Sequence, residues 1–190
     1  MYEKIMEISM KKRLLTPSFI SCYLLFCGLI LIFFITSAGA AQTCIDSIKD
    51  SANVASFTLN SDGTTVDNTT GLMWMRCSLG QKWDGNTCSG TAKTFSWAEG
   101  LKVAAGYEFS GYADWRLPNK NELESIVEDR CFSPAINAEV FPATPLAYFW
   151  SSSPYAAVSH GAWSVDFVYG TVNASVKSGL MHIRLVREVE

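Results

Sequence analysis

Ser151, Ser152 and Ser153, followed by His160 and Asp166, put a hydroxyl, an imidazole and a carboxylate into one short stretch, the residue types of a hydrolytic triad. A serine nucleophile of that kind sits on a sharp strand-to-helix elbow framed by small residues, and no such elbow surrounds these serines. His160 and His182 stand 22 positions apart with no acidic or cysteine company at ligand spacing, so no metal or cofactor site is expected. No glycine-rich phosphate loop occurs.

Aromatic residues offer a different chemistry. Tyr148, Trp150, Tyr155, Trp163 and Tyr169 are concentrated in the C-terminal part of the chain, and aromatic faces flanked by polar groups suit sugar rings. Strand alternation puts Trp163, Val165 and Phe167 on one face, the core, and turns Ser164 and Asp166 outward or against a loop. Trp150 and Trp163 are therefore expected mainly as packing residues. Tyr155 and Tyr169, both beside turns, are the exposed candidates, with Asp166 as a polar neighbour. Asp114, Trp115, Arg116, Pro118, Asn119 and Glu122 form a second polar and aromatic group. A buried Trp beside an Arg that pairs with a carboxylate is read as structural, because Arg is seldom buried unpaired.

The elements that carry these residues are short. Strands are expected at Phe57–Leu59, Leu72–Arg76, Phe149–Ser153, Ala162–Phe167, Val172–Val176 and His182–Arg187, separated by turn signals such as Asn60-Ser61-Asp62-Gly63. Ser96 and Glu99 make a capping box for a first helix, with Trp97, Leu101, Ala104 and Ala105 on one face and Gly106 as its stop. Gly100 inside it costs about 1 kcal/mol relative to Ala. A second helix starts after Leu117-Pro118, with Asn119 as N-cap, Glu122 three residues later, and Leu123, Ile126 and Val127 as its buried stripe. No helix is expected beyond Phe132, where Pro134, Pro142, Pro145 and Pro154 break the chain. Gly71-Leu72-Met73-Trp74-Met75-Arg76 is echoed by Gly179-Leu180-Met181-His182-Ile183-Arg184, and the two segments are expected to pair in one sheet.

The chain has 190 residues, 48% hydrophobic and 17% charged, with a net charge of −3. Residues 1–41 read as a secretory signal peptide: Lys11, Lys12 and Arg13 precede the apolar run Phe19–Ile35, and Ser37-Ala38-Gly39-Ala40-Ala41 offers cleavage positions. An uncleaved membrane anchor is the competing reading, since the run is near the length that spans a bilayer. Met10 directly before the basic trio offers an alternative start. Residues 42–56 are expected as a polar tether and 57–190 as the folded domain.

Without the leader, 149 residues carry 11 Lys and Arg against 16 Asp and Glu, a net −5. That balance excludes a nucleic-acid binder, whose affinity rests on clustered basic residues. Membrane association is expected only through the leader, if it is retained. The four remaining cysteines, Cys44, Cys77, Cys88 and Cys131, favour two disulfides in an exported chain and allow three pairings. The reversal at Trp83-Asp84-Gly85-Asn86 brings Cys77 toward Cys88, which leaves Cys44 for Cys131.

The segments Thr70–Trp74, Asp114–Leu123, Phe149–Ser153, Val165–Phe167 and Val186-Arg187 resemble, in order, the motifs of the Lcl C-terminal domain family. That family is named for the C-terminal domain of the Legionella collagen-like protein. The resemblance spans about residues 57–188. It implies an α+β fold: one compact, disulfide-stapled domain of short antiparallel strands with two helices, similar to C-type lectins, in an exported bacterial protein. The founding member is a surface adhesin associated with sulfated glycosaminoglycans. This chain lacks that protein's Gly-X-Y stalk, has scattered basic residues, and carries none of the Glu-Pro-Asn or Trp-Asn-Asp signatures of calcium-dependent sugar binding. The expected function is a noncatalytic binding or adhesion module, secreted, periplasmic or at the cell surface, with a glycan or extracellular protein as partner and self-assembly left open. A cell-envelope enzyme or enzyme accessory is the alternative.

Overall fold

The computed structural model describes residues 42–189, so the expected signal peptide, 1–41, lies outside the described residues. Within them, the segment 42–56 is folded onto the domain and is not a loose tether. β1 (Thr43–Cys44) pairs antiparallel with β7 (Cys131–Phe132), the Gln42 amide donates to the carbonyls of Pro134 and Ile136, and Ser51 and Ala52 donate backbone N–H groups to the Glu128 carboxylate at 3.1 and 2.9 Å. The small side chains of Ser51 and Ala52 allow that approach, and Ala52 is buried in the core.

A 3-10 turn, Val54–Ser56, leads into β2 (Phe57–Leu59), β3 (Thr64–Asp67) and β4 (Leu72–Met75), an antiparallel meander. A short ribbon follows, β5 (Lys82–Trp83) and β6 (Cys88–Ser89), closed by Asp84, whose carboxylate accepts from the N–H groups of Asn86 and Thr87. The chain then forms α1 (Trp97–Ala104) and α2 (Lys120–Ser125), β7, and a three-stranded sheet of β8 (Tyr148–Pro154), β9 (Gly161–Asp166) and β10 (Thr171–Val176), with β9 central. Finally β11 (Val186–Glu188) returns to β4 and completes the order β11-β4-β3-β2. Both disulfides pair as expected, Cys44 with Cys131 and Cys77 with Cys88. The architecture is α+β, with short antiparallel strands and two helices.

β4 is buried on both faces because it separates two cores. Leu72 and Trp74 face one, with Leu123, Ile126, Phe141, Phe149 and Phe167; Met73 and Met75 face the other, with Trp115, Leu117, Trp150 and Ile183. Period-2 alternation puts successive side chains on opposite faces, so a strand between two cores loses the polar face that marks a one-sided sheet.

The same geometry corrects the reading of β9. Val165 and Phe167 are in the core as expected and Asp166 is buried against the turn after β9, one of its two expected places, but Ser164 is buried within the sheet and Trp163 is the partly exposed residue. Ser164 is buried, and its hydroxyl lies 2.9 Å from that of Ser175 on the neighbouring β10. The Asp166 carboxylate accepts from the N–H of Val168 in the β9–β10 turn.

The echo segments do not pair with each other. β4 pairs with Val186–Glu188, just beyond the second echo, while Met181 and His182 bridge Phe95 and Phe149. His182–Arg187 is not a one-sided strand either, since Arg184 between Ile183 and Leu185 is wholly buried.

Both helices start with the expected capping boxes, at Ser96/Glu99 and Asn119/Glu122. Gly100 sits where α1 crosses the second core: an added Cβ would lie 3.4 Å from both Ile183 and Leu117. Close approach of the helix explains a residue that propensity alone disfavours. α2 ends at Ser125, before the expected stop at Val127, yet Ile126 and Val127 complete its buried stripe.

Candidate ligand-binding cleft

The segment Asp114–Asn119 runs beside β11, with Arg116 and Val186 exchanging backbone hydrogen bonds at 2.9 and 3.0 Å. Alternation along it sends Trp115 and Leu117 into the second core and leaves Asp114 and Arg116 toward solvent. The Trp115 indole N–H donates to the Phe109 carbonyl. Asp114 accepts from the Arg187 Nε at 2.7 Å, and the Arg187 guanidinium lies 3.9 Å from the centre of the Tyr112 ring. Hydrogen bonding to Arg187 holds the Asp114 carboxyl below its ordinary value.

Arg116 makes a bidentate pair with Glu122, Nη1 to Oε2 at 2.8 Å and Nη2 to Oε1 at 3.0 Å, and reaches Glu188 at 3.4 Å. Glu122 also accepts from the Asn119 N–H at 2.7 Å, while Asn119 returns its own side-chain oxygen to the Glu122 N–H. Two conspicuous sequence motifs meet here: the Pro118 carbonyl accepts from the Ser152 N–H at 2.7 Å, and the Ser153 hydroxyl accepts from the Lys120 N–H at 3.0 Å. The structural roles read for Asp114, Trp115, Arg116, Asn119 and Glu122 thus have their geometry in this corner of the domain.

The corner also opens a cleft of about 470 Å³ between α1 and α2. Leu101, Ala104 and Leu117 line its apolar floor; Arg116, Glu122, Glu188 and Ser152 form its polar margin. Binding sites for small ligands have this size range and this division of labour. Donating hydrogen bonds to the Glu122 carboxylate raises the Arg116 pKa further. Burial raises that of Glu122, but the side-chain bonds from Arg116, the backbone bond from Asn119 and the Arg116 charge outweigh it and leave the carboxyl below its ordinary value. Both groups stay ionised at neutral pH, suited to holding hydrogen bonds and not to exchanging protons.

A pH dependence follows. A carboxylate with a lowered folded-state pKa contributes stability above its ordinary value of 4.5 and loses it as pH falls through the lowered one. Glu122→Gln is therefore expected to melt below the wild type at pH 7, with the gap closing toward pH 3. A gap that stays constant in melts across that range would contradict the assignment.

The expected aromatic site is dispersed. Trp150 is wholly buried, its indole N–H donating to the Phe95 carbonyl, so it faces no ligand; Asp166 is likewise buried at its turn. Tyr155 and Trp163 pack edge to face with ring centroids 4.9 Å apart at one end of β9. Tyr169 is 69% exposed in the turn at the other end, about 20 Å away along a six-residue strand. They cannot line one site. The Ser151 hydroxyl is buried and donates to the Trp163 carbonyl, His160 is exposed in the β8–β9 loop, and Asp166 is the last residue of β9, at its far end, so the three triad residue types are not brought together. Among the described residues, no group of three or more His, Cys, Asp or Glu is placed to hold a metal ion. Glu188 was not legible as a site residue: it lies at the end of the chain, and only β11 pairing carries it to Arg116.

The family model described as Lcl C-terminal domain matches residues 63–187, from the turn before β3 through β11. No curated protein matches the chain.

Proposed function

Because the chain belongs to the Lcl C-terminal domain family, we propose that it is an exported, noncatalytic binding module whose ligand, a neutral glycan, seats in the cleft between α1 and α2. The observation that carries this reading is the cleft itself: an apolar floor of Leu101, Ala104 and Leu117 under a margin of ionised, hydrogen-bonding groups. Sugar rings present apolar C–H faces and a rim of hydroxyls that match such a surface. One arginine against two carboxylates gives the cleft a net negative charge, which disfavours sulfated polymers and favours an uncharged ligand. Two disulfides support an oxidising compartment outside the cytoplasm. Residues 1–41 supply the export signal in this reading.

A glycan array probed with the exported chain tests it. Saturable binding to neutral glycans is expected. Glu188→Gln removes an exposed margin charge and is expected to weaken that binding about tenfold, equivalent to one charge-assisted hydrogen bond, without lowering the melting temperature. If Tyr155→Ala or Tyr169→Ala abolishes binding and Glu188→Gln does not, the cleft is the wrong site. Turnover of the bound glycans would make the protein an enzyme and refute the module.

A further inference from the structure

The opposite end of β8 carries an apolar surface that the cleft does not use. Phe132, Leu146, Tyr148 and Tyr169 are all exposed there. Backbone hydrogen bonds bring their segments to one turn: Ser133 N–H to the Val168 carbonyl at 2.8 Å, Ala135 N–H to Phe167 at 2.8 Å, and Phe167 N–H to Ala147 at 3.1 Å. Tyr148 stands opposite Asp166 in the β8–β9 register, and Thr171 opposite the same residue from β10. Gly170, with φ +75°, closes the turn. Residues 132–136, 145–148 and 167–171 contain no charged side chain.

The chain enters the domain at this end. The Gln42 side chain donates to the Pro134 and Ile136 carbonyls, and Thr43 pairs with Phe132. Upstream in sequence lies the apolar run Phe19–Ile35. The seven residue steps from Ile35 to Gln42 span at most about 25 Å. A bilayer that takes up this run, transiently in export or permanently, is therefore within about 25 Å of Gln42.

We propose that this end of the domain rests at the headgroup level of a lipid surface through Phe132, Leu146, Tyr148 and Tyr169. Phenol side chains favour that boundary, where the ring is buried and the hydroxyl stays wet. The absence of charge in the three segments selects a zwitterionic lipid surface over a partner recognised through ion pairs. Ser152, on the cleft margin, is four residues further along β8, about 13 Å from Tyr148, so the seated domain keeps its cleft clear of the headgroups.

The test uses the exported chain, with its N-terminus read by mass spectrometry, and phosphatidylcholine vesicles. A retained apolar run would insert by itself, so the readout is amide hydrogen exchange resolved by segment. Vesicles are expected to slow exchange in residues 132–136, 145–148 and 167–171, equally at 0.1 and 0.5 M salt. The double variant Leu146→Ser/Tyr169→Ser, exposed at both positions, is expected to keep the wild-type melting temperature and lose that protection at least tenfold. Unchanged exchange in these segments, or protection confined to the cleft, would overturn the proposal. So would protection without vesicles that grows with protein concentration, which would assign the surface to a second copy of the chain. Neither result bears on glycan binding, which reads out at the cleft.

Discussion

Arg184→Ala is expected to lower the unfolding free energy by about 3–5 kcal/mol, the range for breaking a buried charged network. Arg184 is wholly buried and no carboxylate stands among its hydrogen-bond partners. Its guanidinium donates instead to the carbonyls of Met75 and Arg76, and to the Thr144 hydroxyl at 2.7 Å, and it lies 4.7 Å from the centre of the Phe141 ring. Burial pushes its pKa down to about 9, still above neutrality, so the group enters the core charged. Carbonyl dipoles and aromatic faces replace part of the water it loses, and its Nε is buried without a hydrogen-bond partner.

These bonds tie the exit of β4 to the Thr144 loop and reinforce its link to the C-terminal segment, whose Leu185 carbonyl already accepts from the Met75 N–H at 3.1 Å. Truncation to alanine deprives two carbonyls of this donor and opens a cavity, while the Thr144 hydroxyl keeps its own bond to the Phe141 carbonyl at 2.8 Å. Arg184→Met fills most of the volume but leaves the same acceptors unpaired, at about 1–3 kcal/mol for each group that water cannot reach. Arg184→Lys keeps the charge on a single nitrogen and cannot reproduce the planar fork. Urea unfolding of all three variants checks the account. A loss below about 1 kcal/mol in Arg184→Met would mean that the acceptors find other partners, and the stapling role would fail.

Removing the Cys44–Cys131 disulfide as the double serine variant is expected to cost about 4–5 kcal/mol, because it closes a loop of 87 residue steps in the unfolded chain. The Cys77–Cys88 bridge closes only 11, and its removal should cost about 3 kcal/mol. The first loss is a large part of the 5–15 kcal/mol that stabilises an ordinary domain. It also frees the strand that lays Gln42 and Thr43 along Phe132–Ile136, so Ala52 and its hydrogen bond to Glu128 should open first. Unfolding of the two double variants side by side decides the point. If loss of Cys77–Cys88 costs more, chain entropy is not what these bridges supply.

Local signals were the most legible in the sequence. Asn119 and Glu122 satisfy each other within one turn, so the start of α2 could be read from two residues. The reversal at Trp83–Asn86 was enough to bring Cys77 to Cys88, and the other pairing followed. Long-range partners were not legible. Alternation in Ala162–Phe167 offered Ser164 and Asp166 a place outward or against a loop; Asp166 packs at the β9–β10 turn, but the contact of Ser164 with Ser175 depends on β10 arriving beside β9. The burial of Arg184 depends on carbonyls about a hundred residues earlier in the chain. The cleft was half legible: Arg116 and Glu122 belong to a recognisable motif, while Glu188 and Leu101 reach it through packing alone.

The proposed ligand site is the cleft of Leu101, Arg116, Glu122 and Glu188. The most direct measurement is backbone chemical-shift mapping of the exported, disulfide-bonded domain titrated with a neutral glycan retained on the array. The account predicts saturable shifts centred on Leu101–Ala105, Arg116–Glu122 and Val186–Glu188, with Tyr169 unmoved. Shifts centred on Tyr155 and Trp163, or on Tyr169, with those three segments silent, would contradict it.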